Sequence, residues 1–259
     1  MAVRSAVSHF ARRQAIRDTW GNENIVQGRV VRRLFIVGRA HGSMEQIRLW
    51  KESEENRDIV QGDFHDSMRN LTIKDTLLMH WMSVYCPCVN FVYKGDDDIF
   101  FNVGNAVDFL QRYDEYDMID DLVVGRRMGG SPRIVQPQSK YYLPSKYWSG
   151  AIYPPYVSGG GSIISGPTMA RIFRCSQTVP LFPIDDVYMG IVLHRLGVKP
   201  MQHQGFLMTG RVNTYNVNLY RRAIAVHRVS PLMMKRIWRK LPRLEAEVED
   251  DYEETRKRL

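Results

Sequence analysis

Three consecutive carboxylates, Asp96, Asp97 and Asp98, follow directly on the apolar run 89–93 and the pair Lys94-Gly95. Like charges a few ångströms apart cannot all stay ionised unless a cation or a hydrogen-bond donor offsets them. In an open α/β sheet, ligands bind beyond the carboxyl ends of the strands, and these aspartates fall at such an end. Carboxylates there suit a hard divalent ion, Mn²⁺ or Mg²⁺, with diphosphate oxygens completing its coordination. The plainer alternative is a polar turn that starts a helix after Phe100, because aspartate is favoured at helix starts. A second acidic pair, Asp185-Asp186, stands between Pro183 and an apolar helical run. There a carboxylate can cap the helix or serve as a general base toward an incoming hydroxyl. Both roles fit at once, with Asp185 as the cap and Asp186 turned into the cleft.

Between the two acidic sites lies the run Tyr153-Pro154-Pro155-Tyr156-Val157-Ser158-Gly159-Gly160-Gly161. Glycines let a backbone approach a ligand closely, and aromatic faces stack on sugar rings; a flexible hairpin turn is the alternative. The run matches neither G-x-G-x-x-G after a strand nor a Walker loop. His227 closes an apolar run, 223–226, and beside an acidic site its imidazole is a further ligand for Mn²⁺. Without such a neighbour it reads as an ordinary structural histidine. His9, His41, His65, His80, His194 and His203 show no pattern of partners.

The elements that must position these groups alternate. Periodicity predicts helices over 8–20, 43–56, 70–84 and 103–113, another from 167, and one over 185–196. Strands are predicted over 30–37, 58–60, 89–93, 122–124, 162–165 and 223–226, with a loop-rich stretch over 129–161. Helices and strands alternate first and loops dominate later, which predicts an α/β fold with a mixed central sheet. One domain is expected over 1–242, followed by a solvated charged tail over 243–259.

At 259 residues, 44% hydrophobic and 25% charged, the composition is that of a globular protein. No apolar run is long enough to span a bilayer, and the first residues carry no secretory signal pattern. The net charge of +8 favours polyanionic partners, nucleotide phosphates among them. No zinc-finger, RNP or basic-zipper motif supports binding to nucleic acid. Cys86, Cys88 and Cys175 are too few for a disulfide scaffold and lack C-x-x-C spacing, leaving one disulfide with one free thiol as an option.

Taken in order, the motifs resemble those of the inverting β-1,3-glycosyltransferases, the family of β-1,3-N-acetylglucosaminyltransferases and β-1,3-galactosyltransferases. Residues 10–21 (FARRQAIRDTWG) resemble the first motif; Phe35-Ile36-Val37-Gly38, Asp63-Phe64 and Asn70-Leu71-Thr72-Ile73-Lys74 resemble the next. Residues 91–100 (FVYKGDDDIF) match the metal motif, and 153–161, 183–188 and Val226-His227-Arg228 follow in family order, so that the likeness covers about residues 1–240. It implies a GT-A fold, a Rossmann-like mixed sheet flanked by helices, with a first strand truncated at Val3-Arg4-Ser5. It further implies Asp98, His227 and Asp96 as metal ligands, with Asp96 also touching the ribose. Arg13, Arg17, Lys74, Asp97 and Gly160 fall at donor-binding positions, and Asp186 at that of the catalytic base. For Arg13, Arg17 and Lys74, buried ion pairs are the alternative.

The activity implied is transfer of N-acetylglucosamine from UDP-GlcNAc in β-1,3 linkage to a galactose-terminated glycan, with Mn²⁺ or Mg²⁺ and inversion at the sugar. The alternative donor is UDP-galactose: Gly95-Asp96-Asp97-Asp98 and Tyr153-Pro154-Pro155-Tyr156 look like the first branch, Tyr220-Arg221-Arg222-Ala223 like the second. Partners are the UDP-sugar and a glycan on glycoprotein or glycolipid, not nucleic acid; a homodimer is left open. By the same likeness the full-length protein is expected in the Golgi lumen, as a type II membrane protein whose signal anchor lies outside this chain. A family disulfide before Tyr220 is expected to be absent, and the sequon Asn70-Leu71-Thr72 unmodified. Two rivals come from other classes. A catalytically silent glycan-binding relative would not need Asp186, and a metal-dependent phosphohydrolase would lack the first motif.

Overall fold

The computed structural model describes residues 1–22, 24–114, 120–139, 141–208 and 216–241. The expected tail, 243–259, and its boundary lie outside them. The chain begins with β1 (Ala2–Arg4) and α1 (Phe10–Arg17), followed by a hairpin of β2 (Asn24–Val26) and β3 (Arg29–Val31). Next come β4 (Leu34–Arg39), α2 (Ser43–Asn56), β5 (Ile59–His65), α3 (Leu71–Tyr85), β6 (Phe91–Asp96), β7 (Ile99–Phe101) and α4 (Val103–Asp114). The second half carries β8 (Val123–Met128), β9 (Tyr156–Ser165), α5 (Gly166–Ser176) and α6 (Asp185–Leu196). It closes with β10 (Met201–Gln202), β11 (Phe206–Leu207), α7 (Val217–Arg222) and β12 (Ala225–His227).

Seven strands form the main sheet in the order β10-β8-β9-β6-β1-β4-β5, and β11-β12-β7 form a small second sheet. The neighbours β6, β1, β4 and β5 are parallel, whereas β9 runs antiparallel to β6 and β8. This is the expected mixed α/β sheet, consistent with a GT-A-like fold. Only three residues long, β1 nonetheless lies in the interior of the sheet, with Val3 paired to Phe35 on one side and Gly95 on the other. From β1 the chain moves to β4 and β5, then crosses back to β6 on the other side. The crevice at such a reversal is where open α/β sheets bind ligands, and Arg4-Ser5 and Asp96-Asp97-Asp98 stand there.

Two apolar cores cover the faces of the sheet. One joins Leu78, Met82, Ile164, Ile172 and the buried length of α6; the other joins Ile16, Trp20, Phe35, Phe101 and the strand β12. The bounds of α2 and α6 match the helical periodicity, and α6 stops at Gly197, whose φ of 72° is the left-handed conformation that ends helices. Along α6 the residues Val187 to Leu193 are all buried, and Gly190 brings the helix against β9: an added Cβ would lie 2.7 Å from the Tyr156 Cβ.

Other boundaries differ from expectation for local reasons. The run 30–37 divides into β3 and β4, because Arg33 turns inward to donate to Asp58 (2.8 Å) and to the Gly21 carbonyl (2.8 Å). The glycine run is no loop: Gly159, Gly160 and Gly161 lie inside β9, with Gly161 opposite Gly95 of β6. A short strand, β7, separates the aspartates from the helix expected after Phe100, which begins at Val103, so the aspartates do not cap it. All three cysteines are free. Thr72 of the sequon is buried and donates to the Phe182 carbonyl. Among the described residues no helix is long and apolar enough to cross a membrane.

Candidate active site

The end of β6 and the end of β12 converge on one point. Asp96 is the last residue of β6, Asp98 lies in the turn that follows, and β12 pairs antiparallel with β7 so that His227 stands opposite Ile99. One ligand atom each from Asp96, Asp98 and His227 can be chosen so that all lie within 4.8 Å of one another. His227 Nε2 is 3.4 Å from Asp98 Oδ1, while Nδ1 lies 3.1 Å from the Met208 carbonyl oxygen. A carbonyl only accepts, so Nδ1 carries a proton; Nε2 faces the carboxylates, its hydrogen bond to Asp98 raises the His227 pKa, and it is the nitrogen that a cation would take in place of a proton. Two carboxylates and one imidazole suit Mn²⁺ or Mg²⁺, and exposures of 25–32% leave the three side chains open to a ligand.

Asp97 faces the other way. It is 4% exposed and accepts hydrogen bonds from Ser5 Oγ (2.7 Å), His9 Nδ1 (2.7 Å) and Arg12 Nη1 (2.8 Å). Burial pushes its pKa up, but the bonds from His9, Ser5 and Arg12 outweigh that and hold it below the ordinary value. With its oxygens taken up by protein donors, Asp97 anchors the turn, while Asp96 and Asp98 open toward the cleft.

Asp96 and the second acidic pair meet at Arg4. Arg4 Nε and Nη2 lie 3.0 and 2.7 Å from Asp96 Oδ1, Nη2 donates to the Gly159 carbonyl (2.6 Å), and Nη1 pairs with Asp185 and with Asp75 (3.4 Å). Lys94 neutralises the far side of Asp75. Burial raises the Asp96 pKa to about 6: the neighbouring Asp185 and Asp98 add to the rise, and Arg4 offsets only part of it. Asp185 goes the opposite way, since Arg4 and Lys94 overcome its burial and lower its pKa. The assignment of Asp185 as the helix cap gives way to this ion pair: Ile184 is the N-cap of α6, and no side chain caps it.

Asp186 has a different environment. Its carboxylate accepts the Val187 N–H (2.8 Å), and no ion pair to it is formed among the described residues. Burial, and then the charge of Asp185, raise its pKa to about 6. A carboxylate near that value is ionised at neutral pH and basic enough to take a proton, as a general base requires. The glycines of β9 bring the two acidic sites together. An added Cβ at Gly159 would lie 3.0 Å from Asp185 Oδ2 and 3.6 Å from the Asp186 Cβ, and one at Gly160 would lie 3.8 Å from His227 Nδ1. A cavity of about 850 Å³ lies elsewhere: Met1, Leu34 and Phe91 place it at the opposite, amino-terminal ends of the strands.

A family model described as Galactosyltransferase matches residues 11–204. The chain belongs to this family. It is 38% identical over 255 residues to a human acetylgalactosaminyl-O-glycosyl-glycoprotein β-1,3-N-acetylglucosaminyltransferase, covering 93% of this chain and 65% of that protein. It is 36% identical over 248 residues to the mouse N-acetyllactosaminide β-1,3-N-acetylglucosaminyltransferase 2 (93% and 62% covered). To the mouse UDP-GlcNAc:βGal β-1,3-N-acetylglucosaminyltransferase 7 it is 38% identical over 251 residues (92% and 62%). The chain thus spans a little under two thirds of the length of these relatives.

Membership of the galactosyltransferase family does not carry every expected contact into the cleft. Arg13 is fully buried and donates to Glu52, to Ser5 Oγ and to the carbonyls of Ala6 and Val7. Arg17 binds Asp58 with two nitrogens and Glu52 with a third. These two arginines therefore hold α1 on α2 and the start of β5, which is the buried ion pair kept as the alternative to a nucleotide contact. Lys74 is buried against Asp66 (2.8 Å) and the Ser5 carbonyl, so it supports the turn after β1 from below. The arginine of α1 that does reach the aspartates is Arg12, 2.8 Å from Asp97 and 3.9 Å from Asp98. Helical phase is the signal that separates them: Arg13 and Arg17 share the buried stripe with Ile16, and Arg12 lies a third of a turn away. Arg4 and His9 carried no such signal, because their partners are distant in sequence.

Proposed function

We propose that the chain is the catalytic part of a metal-dependent, inverting β-1,3-N-acetylglucosaminyltransferase that uses UDP-GlcNAc and a galactose-terminated acceptor. The observation that carries the reading is the pairing of the Asp96, Asp98 and His227 cluster with Asp186, a carboxylate of raised pKa across the glycine strand. The names of the similar proteins support N-acetylglucosamine over galactose as the transferred sugar.

In this mechanism Asp96, Asp98 and His227 would hold Mn²⁺ or Mg²⁺, which supplies positive charge against the departing diphosphate. Asp186 accepts the proton of the acceptor 3-hydroxyl as that oxygen attacks the anomeric carbon from the face opposite UDP. The α-linked donor then gives a β-linked product. Asp97, fixed by Ser5, His9 and Arg12, keeps the turn between Asp96 and Asp98 in shape. The proposal extends to a type II membrane protein of the Golgi lumen, for which the support is the resemblance of the motifs.

A donor screen tests the reading. Purified protein with Mn²⁺, a β-galactoside acceptor and a panel of UDP-sugars is expected to release UDP with UDP-GlcNAc, to stop in excess EDTA and to recover when Mn²⁺ is restored. Turnover confined to UDP-galactose would reassign the donor, and full activity in chelator would refute the metal-dependent mechanism.

A further inference from the structure

Arg4 is 3% exposed, and its guanidinium reaches four elements: Asp96 at the end of β6, Asp75 on α3, Asp185 on the first turn of α6 and the Gly159 carbonyl of β9. We propose that Arg4 is a positioning residue that holds the metal ligand Asp96 and the turn bearing Asp186 in one frame. The inference rests on the proposed transferase reading.

Geometry separates the two oxygens of Asp96. Nε and Nη2 both address Oδ1, at 3.0 and 2.7 Å, which leaves Oδ2 to the cleft and to a cation. Nη1 of the same group holds Asp185, and Nη2 the carbonyl of Gly159. Asp186 follows Asp185 in the chain, and a Cβ added at Gly159 would lie 3.6 Å from the Asp186 Cβ. One rigid fork thus fixes both the orientation of a metal ligand and the entry of the helix that presents the base. A planar guanidinium donates along several fixed directions at once, whereas an ammonium is a single compact charge on a flexible stem. Lys94, the other buried cation here, pairs with Asp75 alone.

Charge gives the same answer. Asp75, Asp96, Asp98, Asp185 and Asp186 surround the cleft; Arg4 and Lys94 act on Asp75, Asp185 and Asp186, Arg4 acts on Asp96, and Arg12 lies 3.9 Å from Asp98. Burial works against the charge on Arg4, but Asp96, Asp185 and Asp75 outweigh it, so the guanidinium stays ionised and the carboxylates stay apart.

Four proteins decide the matter: wild type, Arg4→Lys, Asp185→Asn and Arg17→Lys. Each is assayed by melting, by calorimetry of UDP with Mn²⁺, and by transfer kinetics. Arg4→Lys keeps the charge but loses the fork, so the Kd for UDP with Mn²⁺ is expected to rise about tenfold or more, and kcat to fall as well. Asp185→Asn weakens the tie between Arg4 and the α6 turn while leaving the Arg4–Asp96 contact in place, and removing the Asp185 charge favours the ionised form of Asp96, so kcat is expected to fall while Kd does not rise by more than about twofold. Arg17→Lys weakens a buried ion pair remote from the cleft, and lowers the melting temperature while leaving Kd and kcat of the folded protein unchanged. Wild-type Kd in Arg4→Lys, or equal losses in Arg17→Lys at matched stability, would overturn the inference. Should Arg4→Lys fail to fold, an unchanged kcat in Asp185→Asn overturns it alone. A wild type that does not bind UDP with Mn²⁺ removes the transferase reading first, and the inference with it.

Discussion

Asp186→Asn separates a base from a helix-terminal carboxylate, and the structure gives a sign for stability as well as for rate. In the fold the Asp186 carboxyl titrates near 6 against an ordinary 3.8, through burial first and then the charge of Asp185. Two units at about 1.4 kcal/mol each give an upper bound of about 3 kcal/mol; partial exposure and the coupling to Asp185 reduce this to about 1–2 kcal/mol. Because the folded value is raised, the protonated carboxyl favours the fold below about 4, and that stability is lost as pH rises through about 6. Asparagine mimics the neutral acid and still accepts the Val187 N–H. The variant is therefore expected to melt about 2–8 °C higher than wild type at pH 8 in EDTA, with the gain vanishing near pH 4. Its amide cannot take the hydroxyl proton, so kcat at saturating donor is expected to fall by about two to four orders of magnitude. In the wild type at saturating Mn²⁺, which would keep Asp96 ionised, kcat/KM is expected to rise through pH 6 as Asp186 ionises, and this limb is absent from the residual activity of the variant. Paired melts and initial rates across pH 4–8 supply the measurement. A folded variant within about tenfold of wild-type kcat removes Asp186 from the mechanism, and a variant that melts lower at pH 8 refutes the electrostatic argument.

Asp98→Ala removes a carboxylate ligand beside His227, and calorimetry is expected to show no Mn²⁺-dependent UDP binding; undiminished binding would place the metal elsewhere. Glu52→Gln leaves Arg13 and Arg17 short of a counter-charge in the core and is expected to cost about 3–5 kcal/mol in denaturant melts, with the UDP Kd of the folded fraction unchanged. Gly159→Ala sets a Cβ 3.0 Å from Asp185 Oδ2 and beside Asp186, so its transfer rate is expected to fall by about tenfold or more with little loss of melting temperature. A Gly159→Ala enzyme with wild-type kinetics would show that β9 does not set the position of the acidic turn.

The sequence by itself determined the alternating α/β plan and the bounds of α2 and α6, and it singled out Asp96, Asp98, Asp186 and His227 as the candidate groups on which the proposed chemistry rests. The helices and the acidic runs were legible from local information, a helical period within a dozen residues or a dense run of one charge, whereas His227 and the base role of Asp186 came from the likeness of the ordered motifs to the family. The glycine run was visible as a feature but not as a strand, since residues without side chains carry no alternation for a strand to show. Arg13 and Arg17 show the other limit. Their chemistry suits a phosphate as well as it suits Glu52 and Asp58, and only the packing of α1 on α2 chose between them. Arg4 marks the same boundary from the opposite side: one arginine in a three-residue strand, with acceptors 71, 92, 155 and 181 residues away. Which donor meets which acceptor at such separations depends on the strand order and the crossing from β5 back to β6, so the tertiary structure alone decided it.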